Sequence, residues 1–105
     1  MFKAMILLKK RDELSQHEFR NWWLGEHSKL ATQLPGLRKL CFNPAKNEDS
    51  LYDGVAELWF DSEESFTKAY QTDLGKAVAA DSLAHVERRD RLFVEENLLL
   101  NSLSK

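Results

Sequence analysis

Residues 15–38 read SQHEFRNWWLGEHSKLATQLPGLR, a capped amphipathic helix that runs into a turn and then into a strand. Ser15 and Glu18 form a capping box: each side chain satisfies a backbone amide that the helix start leaves without a partner. The helix is expected to continue to about Leu34, because Pro35 lacks an N–H and disfavours helix in the residue before it. At about 100° per residue, Leu30, Trp23 and Leu34 fall about 20°, 40° and 60° from Phe19 on a helical wheel, giving one apolar face. Glu26 falls about 20° to the other side, within that face, and His27 at its edge near 80°. Asn21, Ser28 and Thr32 occupy the opposite, wet side. A helix that only packs has little use for a carboxylate among Phe, Trp and Leu, so this stretch is where chemistry is sought first.

Working outward, Phe2–Lys9 alternates as a first strand, with Phe2, Ala4, Ile6 and Leu8 on one face and Met5 and Leu7 on the other. Leu37–Asn43 is a second strand. Pro44–Asp53 is a polar loop, and Gly54–Phe60 (GVAELWF) a third strand that sets Val55, Glu57 and Trp59 against Ala56, Leu58 and Phe60. Asp61 and Glu64 repeat the capping signature, so a second helix begins near Ser62 and carries Phe66, Ala69 and Tyr70. Gln71–Asp73 breaks it, and a further helical piece runs from Leu74 to about His85. Arg91–Glu95 is a fourth strand, and Asn97–Lys105 a leucine-bearing tail. The order βαββαβ is that of a ferredoxin-like α+β sandwich: one four-stranded antiparallel sheet with its helices on one face. The second sheet face is then bare yet partly apolar, which predicts a homodimer closed sheet to sheet, an α/β barrel, with Leu98-Leu99-Leu100 as a candidate clasp on the partner.

The totals bound the rest. A chain of 105 residues is read as one domain, 1–105, with a thin core that a partner subunit would help to cover. A net charge of −2 and the absence of interleaved Arg and aromatic residues argue against nucleic acid. MFKAMILLKK is too short an apolar run for a signal peptide or a membrane span, and a lone Cys41 makes no internal disulfide, so a cytoplasmic protein is expected. No His or Cys cluster and no acidic calcium loop suggests a metal. Gly36, Gly54 and Gly75 make no phosphate-cradling run, so no nucleotide cofactor is expected.

His27 is the leading catalytic candidate: imidazole is the side chain whose ordinary pKa suits proton transfer near neutrality, and Trp23 lies one turn before it. The plainer alternative is a histidine bonded to a carbonyl or an acid. Glu26 is either a desolvated base or half of an ion pair with Arg20, Lys29 or Arg38. It stands about 100° from His27 on the helix, so the two are not read as a dyad. Asp81 and His85, spaced i and i+4, meet if their segment is helical, and Asp81 would then orient a histidine. Trp22, Phe42 and Trp59 read first as core aromatics, and Glu57 as a residue of the dimer barrel. Phe42 also counts among the candidate substrate contacts, with Trp23, Glu26 and Leu40.

The ordered set MILLKKR; Ser15, Phe19, Trp23 and His27; Leu34-Pro35-Gly36-Leu37-Arg38; Asp53-Gly54-Val55-Ala56-Glu57-Leu58-Trp59-Phe60-Asp61; and Ala80-Asp81 resembles the EthD family of small dimeric α/β-barrel proteins. The likeness runs from about Lys3 to Glu96. It implies a ferredoxin-like subunit, a homodimer and a pocket between sheet and helices. Relatives of this barrel include lactone isomerases and polyketide-modifying enzymes, and the founding members accompany an oxidative ether-degradation system. What it implies here is a cofactor-free enzyme moving a proton, isomerase- or lyase-like, on a lactone, aromatic or polyketide-like small molecule. An oxidoreductase of the monooxygenase type in ether or aromatic degradation, and a non-catalytic metabolite-binding accessory protein, are the alternatives. This chain departs from the family at Leu40, where a Tyr is frequent, and at His85, where a Phe is frequent. The first loses a pocket donor and the second supplies a new one.

Overall fold

The computed structural model describes residues 1–103; the last two residues of the predicted tail, 104 and 105, lie outside them. Four strands, β1 (Phe2–Lys10), β2 (Leu37–Pro44), β3 (Gly54–Phe60) and β4 (Val86–Val94), form one antiparallel sheet in the order β2-β3-β1-β4. Between β1 and β2 the chain forms α1 (Gln16–Trp22), a π-helical turn (Trp23–His27) and α2 (Ser28–Ala31). Between β3 and β4 it forms α3 (Glu63–Gln71) and α4 (Asp73–His85). This is the ferredoxin-like α+β fold read from the sequence.

Strand alternation sorts the side chains as expected. Ala4, Ile6 and Leu8 of β1 and Ala56, Leu58 and Phe60 of β3 are buried beneath Phe19, Trp23, Phe66 and Val78 of the helices. The capping box at Ser15 is complete, with both reciprocal hydrogen bonds formed. Gly36, in the turn between α2 and β2, has φ 80°, a conformation that a Cβ disfavours. The sheet's open face carries Glu57, held by Lys3 at 2.9 Å, and Trp59, between Lys3 and Lys39. Leu98, Leu99 and Leu100 are exposed.

Two expectations need correction. The fourth strand starts at Val86, not Arg91. Its polar opening, Glu87-Arg88-Arg89-Asp90, hid a strand whose backbone pairs with β1 as far as Lys10. The helix after Ser15 is also not uniform. Its buried residues are Phe19, Trp23, His27 and Ala31, four apart each time. The π turn closes i→i+5 bonds and puts an extra residue into the turn, so residues after Trp23 lag the α-helical wheel by nearly one position. His27 thereby takes the inward place that the wheel assigns to Glu26, and Glu26 turns out to water.

Candidate active site

Between the helices and the sheet lies a hollow of about 20 Å³, with Trp23, His27, Leu40, Phe42, Tyr70, Ser82 and Arg89 in its wall. It is narrow: about one water fits without side chains moving, so a larger ligand needs rotamer changes. Leu40 and Phe42, both half-buried on β2, are the wall best placed to yield.

Three elements position the polar groups. The π turn sets His27 inward with its side chain only 5% exposed, and α4 brings Asp81 to meet it, Nδ1 to Oδ2 at 2.9 Å. Trp22 Nε1 donates to the same Oδ2 at 3.0 Å. On the far side of the ring, Ser82 Oγ stands 3.4 Å from Nε2. Burial pushes the His27 pKa below its ordinary value; the hydrogen bond and charge of Asp81 oppose that push, and the Arg89 charge adds to it. The ring is therefore neutral at pH 7. Its Nδ1–H points at the carboxylate, so Nε2 presents a lone pair on the side of Ser82 and the hollow. That is the arrangement of a general base held in one tautomer by a positioning carboxylate.

The sequence candidates divide accordingly. His27, Trp23, Leu40 and Phe42 line the hollow. Trp23 does not offer a free ring face there, since Phe42 stacks on it at 4.5 Å and 4°. Asp81 stands behind His27 and touches the hollow through it. His85 does not join the hollow: it stacks on the outer side of Trp22 at 4.1 Å, with Nδ1 2.8 Å from the Asp81 backbone carbonyl. Glu26 is corrected as a desolvated base and substrate contact, because its carboxylate is 81% exposed; the ion-pair alternative stands, with Lys29 at 3.6 Å. Cys41 faces the opposite side of the sheet beside Asn43.

Sequence reasoning missed Arg89, Tyr70 and Ser82. Arg89 is paired with Leu8 across the sheet, which puts its side chain on the helix side. The signal was present: two-residue alternation back from Phe93 puts Arg91 and Arg89 on the same face. Among the described residues, no three His, Cys, Asp or Glu side chains converge as a metal site requires. No helix among them is long and apolar enough to cross a membrane.

Fold and site together define a ferredoxin-like α+β domain that encloses a small hollow beside a buried His–Asp pair. The sequence pattern of the EthD domain matches residues 11–88, and the chain belongs to the EthD family. No functionally curated protein matches it in sequence. Among solved structures it is similar to an EthD family protein from Bacillus halodurans, with TM-score 0.81 and 24% identity over 92% of this chain and 99% of that one. A dimeric ferredoxin-like protein of unknown function from Thermobifida fusca aligns with TM-score 0.71 and 19% identity, covering 89% of this chain and 88% of its own. An antibiotic biosynthesis monooxygenase aligns with TM-score 0.68 and 10% identity, covering 93% and 100%. At these identities the likenesses speak for the fold.

Proposed function

We propose that this chain is a cofactor-free enzyme that moves a proton on a small, partly apolar, oxygen-bearing molecule such as a lactone, an aromatic or a polyketide-like metabolite. The observation that carries this reading is the buried His27, with Nδ1 2.9 Å from the Asp81 carboxylate and Nε2 on the side of Ser82 and the hollow. A substrate C–H next to a carbonyl gives its proton to Nε2, and the electron pair moves to the carbonyl oxygen as an enolate. Return of the proton to a different carbon or oxygen yields the isomer; loss of a leaving group instead yields the elimination product. Asp81 favours the imidazolium that forms in between, and the apolar wall of Leu40, Phe42 and Trp23 keeps water from competing. The working unit is proposed to be a homodimer. Met5, Leu7, Val55 and Leu92 lie on the open face of the sheet, and the Thermobifida fusca protein of the same fold is described as dimeric.

A second reading shares the first step. The carbanion left by proton removal forms a C–O bond to dioxygen, and the resulting hydroperoxide loses water to leave a new carbonyl, so that one oxygen atom enters the substrate and the other leaves as water. The likeness in fold to an antibiotic biosynthesis monooxygenase favours it. Incubation of candidate lactones and phenols in deuterated buffer, in air and without added cofactor, separates the readings. Deuterium entering the substrate, about a hundredfold slower in a folded His27→Gln variant, supports proton transfer. Oxygen consumption matching product formation supports the oxidation. Binding with neither exchange nor conversion makes the chain a metabolite-binding accessory protein.

A further inference from the structure

Arg89, half-buried on β4, keeps one donor unused in the interior. Its Nε is buried without a hydrogen-bond partner, and among the described residues no carboxylate pairs with its guanidinium. The one other buried side-chain donor without a partner among them is Trp23 Nε1. Both side chains belong to the wall of the same hollow, with the neutral His27 between helix and sheet. Tyr70, kept protonated by burial, is the polar neighbour of Arg89. A half-buried cation with no carboxylate beside it gives up part of its hydration without an opposite charge to offset the loss. Two unused donors on side chains that line one hollow, one of them on a cation, leave a place for an acceptor when the wall shifts to admit a ligand.

We infer that Arg89 and Trp23 form an anion subsite, and that the substrate carries a carboxylate, or an enol or phenol oxygen that becomes anionic, seated on the guanidinium while His27 faces an adjacent C–H. This rests on the proton-transfer reading and narrows it to oxo acids and acidic enols rather than neutral lactones. The placement also has a chemical use. Where the group seated on it is an enol or phenol oxygen, the guanidinium stabilises the enolate that forms as Nε2 takes the proton; where it is a carboxylate, the guanidinium anchors the substrate beside the base. Once Arg89 is neutralised by the bound anion, its charge no longer opposes protonation of His27, so the base strengthens when the right substrate is in place.

Phenylacetate and its neutral isostere phenylacetamide serve as probes, titrated against protein fluorescence and calorimetry. The carboxylate is expected to bind at least about tenfold more tightly than the amide. Arg89→Met should remove that preference, Arg89→Lys should keep part of it, and Arg89→Met should unfold at the same or a higher temperature because it deletes a half-buried charge that no carboxylate pairs. His27→Gln should keep the carboxylate preference, so that the anion subsite and the proton-transfer step fail separately. Equal binding of acid and amide, a preference that survives Arg89→Met, or no binding of phenylacetate or the smaller acetoacetate up to tens of millimolar overturns the assignment.

Discussion

Replacing Asp81 by Asn deletes one negative charge while nearly preserving shape. Both Trp22 Nε1, at 3.0 Å, and His27 Nδ1, at 2.9 Å, are directed to the same oxygen, Oδ2. The amide oxygen can occupy that place and leave both hydrogen bonds standing. What disappears is the preference of the pair for a charged imidazole. In the folded protein, burial lowers the His27 pKa and Asp81 opposes that lowering. With the charge gone the opposition fades and burial remains, so His27 should titrate at still lower pH. A hydrogen bond to a charged partner contributes about 1.5–3 kcal/mol, which makes the loss about ten- to hundredfold in proton affinity. The same energy is withdrawn from a transition state in which His27 becomes imidazolium, so kcat/KM should fall about ten- to hundredfold with little change in fold. Titration of the His27 Cε1 proton by NMR in wild type and Asp81→Asn reads the first effect without any substrate. A His27 that titrates at the same or higher pH in the variant, with circular dichroism unchanged, refutes the electrostatic role given to Asp81.

Further outcomes follow from the same geometry. A Cβ on Gly54 would meet Trp23 Cζ3 at 2.5 Å and Cη2 at 2.7 Å, and Trp23 is fully buried, so Gly54→Ala should cost about 1–3 kcal/mol in urea denaturation; an unchanged midpoint would show that the ring can recede. Asp53 is buried and accepts from Lys10 N at 2.9 Å and Gln16 Nε2 at 2.6 Å, tying the end of β1 to the first helix. Asp53→Ala should destabilise by about 2–4 kcal/mol, and a loss under about 0.5 kcal/mol would contradict that tie. The lowered His27 pKa means that the unfolded chain binds the proton first as pH falls below the ordinary value of 6.5. Stability should therefore drop below that pH until the folded-state pKa is passed, by at most about 1.4 kcal/mol per pH unit from this residue, and His27→Gln should flatten that part of the profile. Ser82 Oγ lies 3.4 Å from Nε2, longer than a working nucleophile–base bond of about 2.6–3.2 Å, so Ser82→Ala should leave deuterium exchange within about threefold of wild type; its abolition would assign Ser82 a nucleophilic role instead.

Where local signals and burial agreed, the fold was legible. Alternation in Phe2–Lys9 and Gly54–Phe60 and the capping box at Ser15 stand where they were read, whereas the helix expected to reach about Leu34 stops at Ala31, ahead of the Pro35-Gly36 turn. Thr72 caps the helix that opens at Asp73, in the break expected at Gln71–Asp73. The site was legible only in part, for two physical reasons. The helical wheel assumes 3.6 residues per turn, and a single π turn at Trp23–His27 exchanges the environments of Glu26 and His27. Charged residues discourage a strand assignment, so the length of β4 that carries Arg89 was left out although its alternation points inward. In both places the chain gives up a locally favourable pattern, and both surround the hollow, as expected where function competes with regular structure.

The tautomer of His27 in the free protein decides most. A long-range proton–nitrogen-15 NMR spectrum at pH 7 should show a neutral ring with the proton on Nδ1 and an unprotonated Nε2. A ring protonated on Nε2, or a fully charged imidazolium, would contradict the base assigned here.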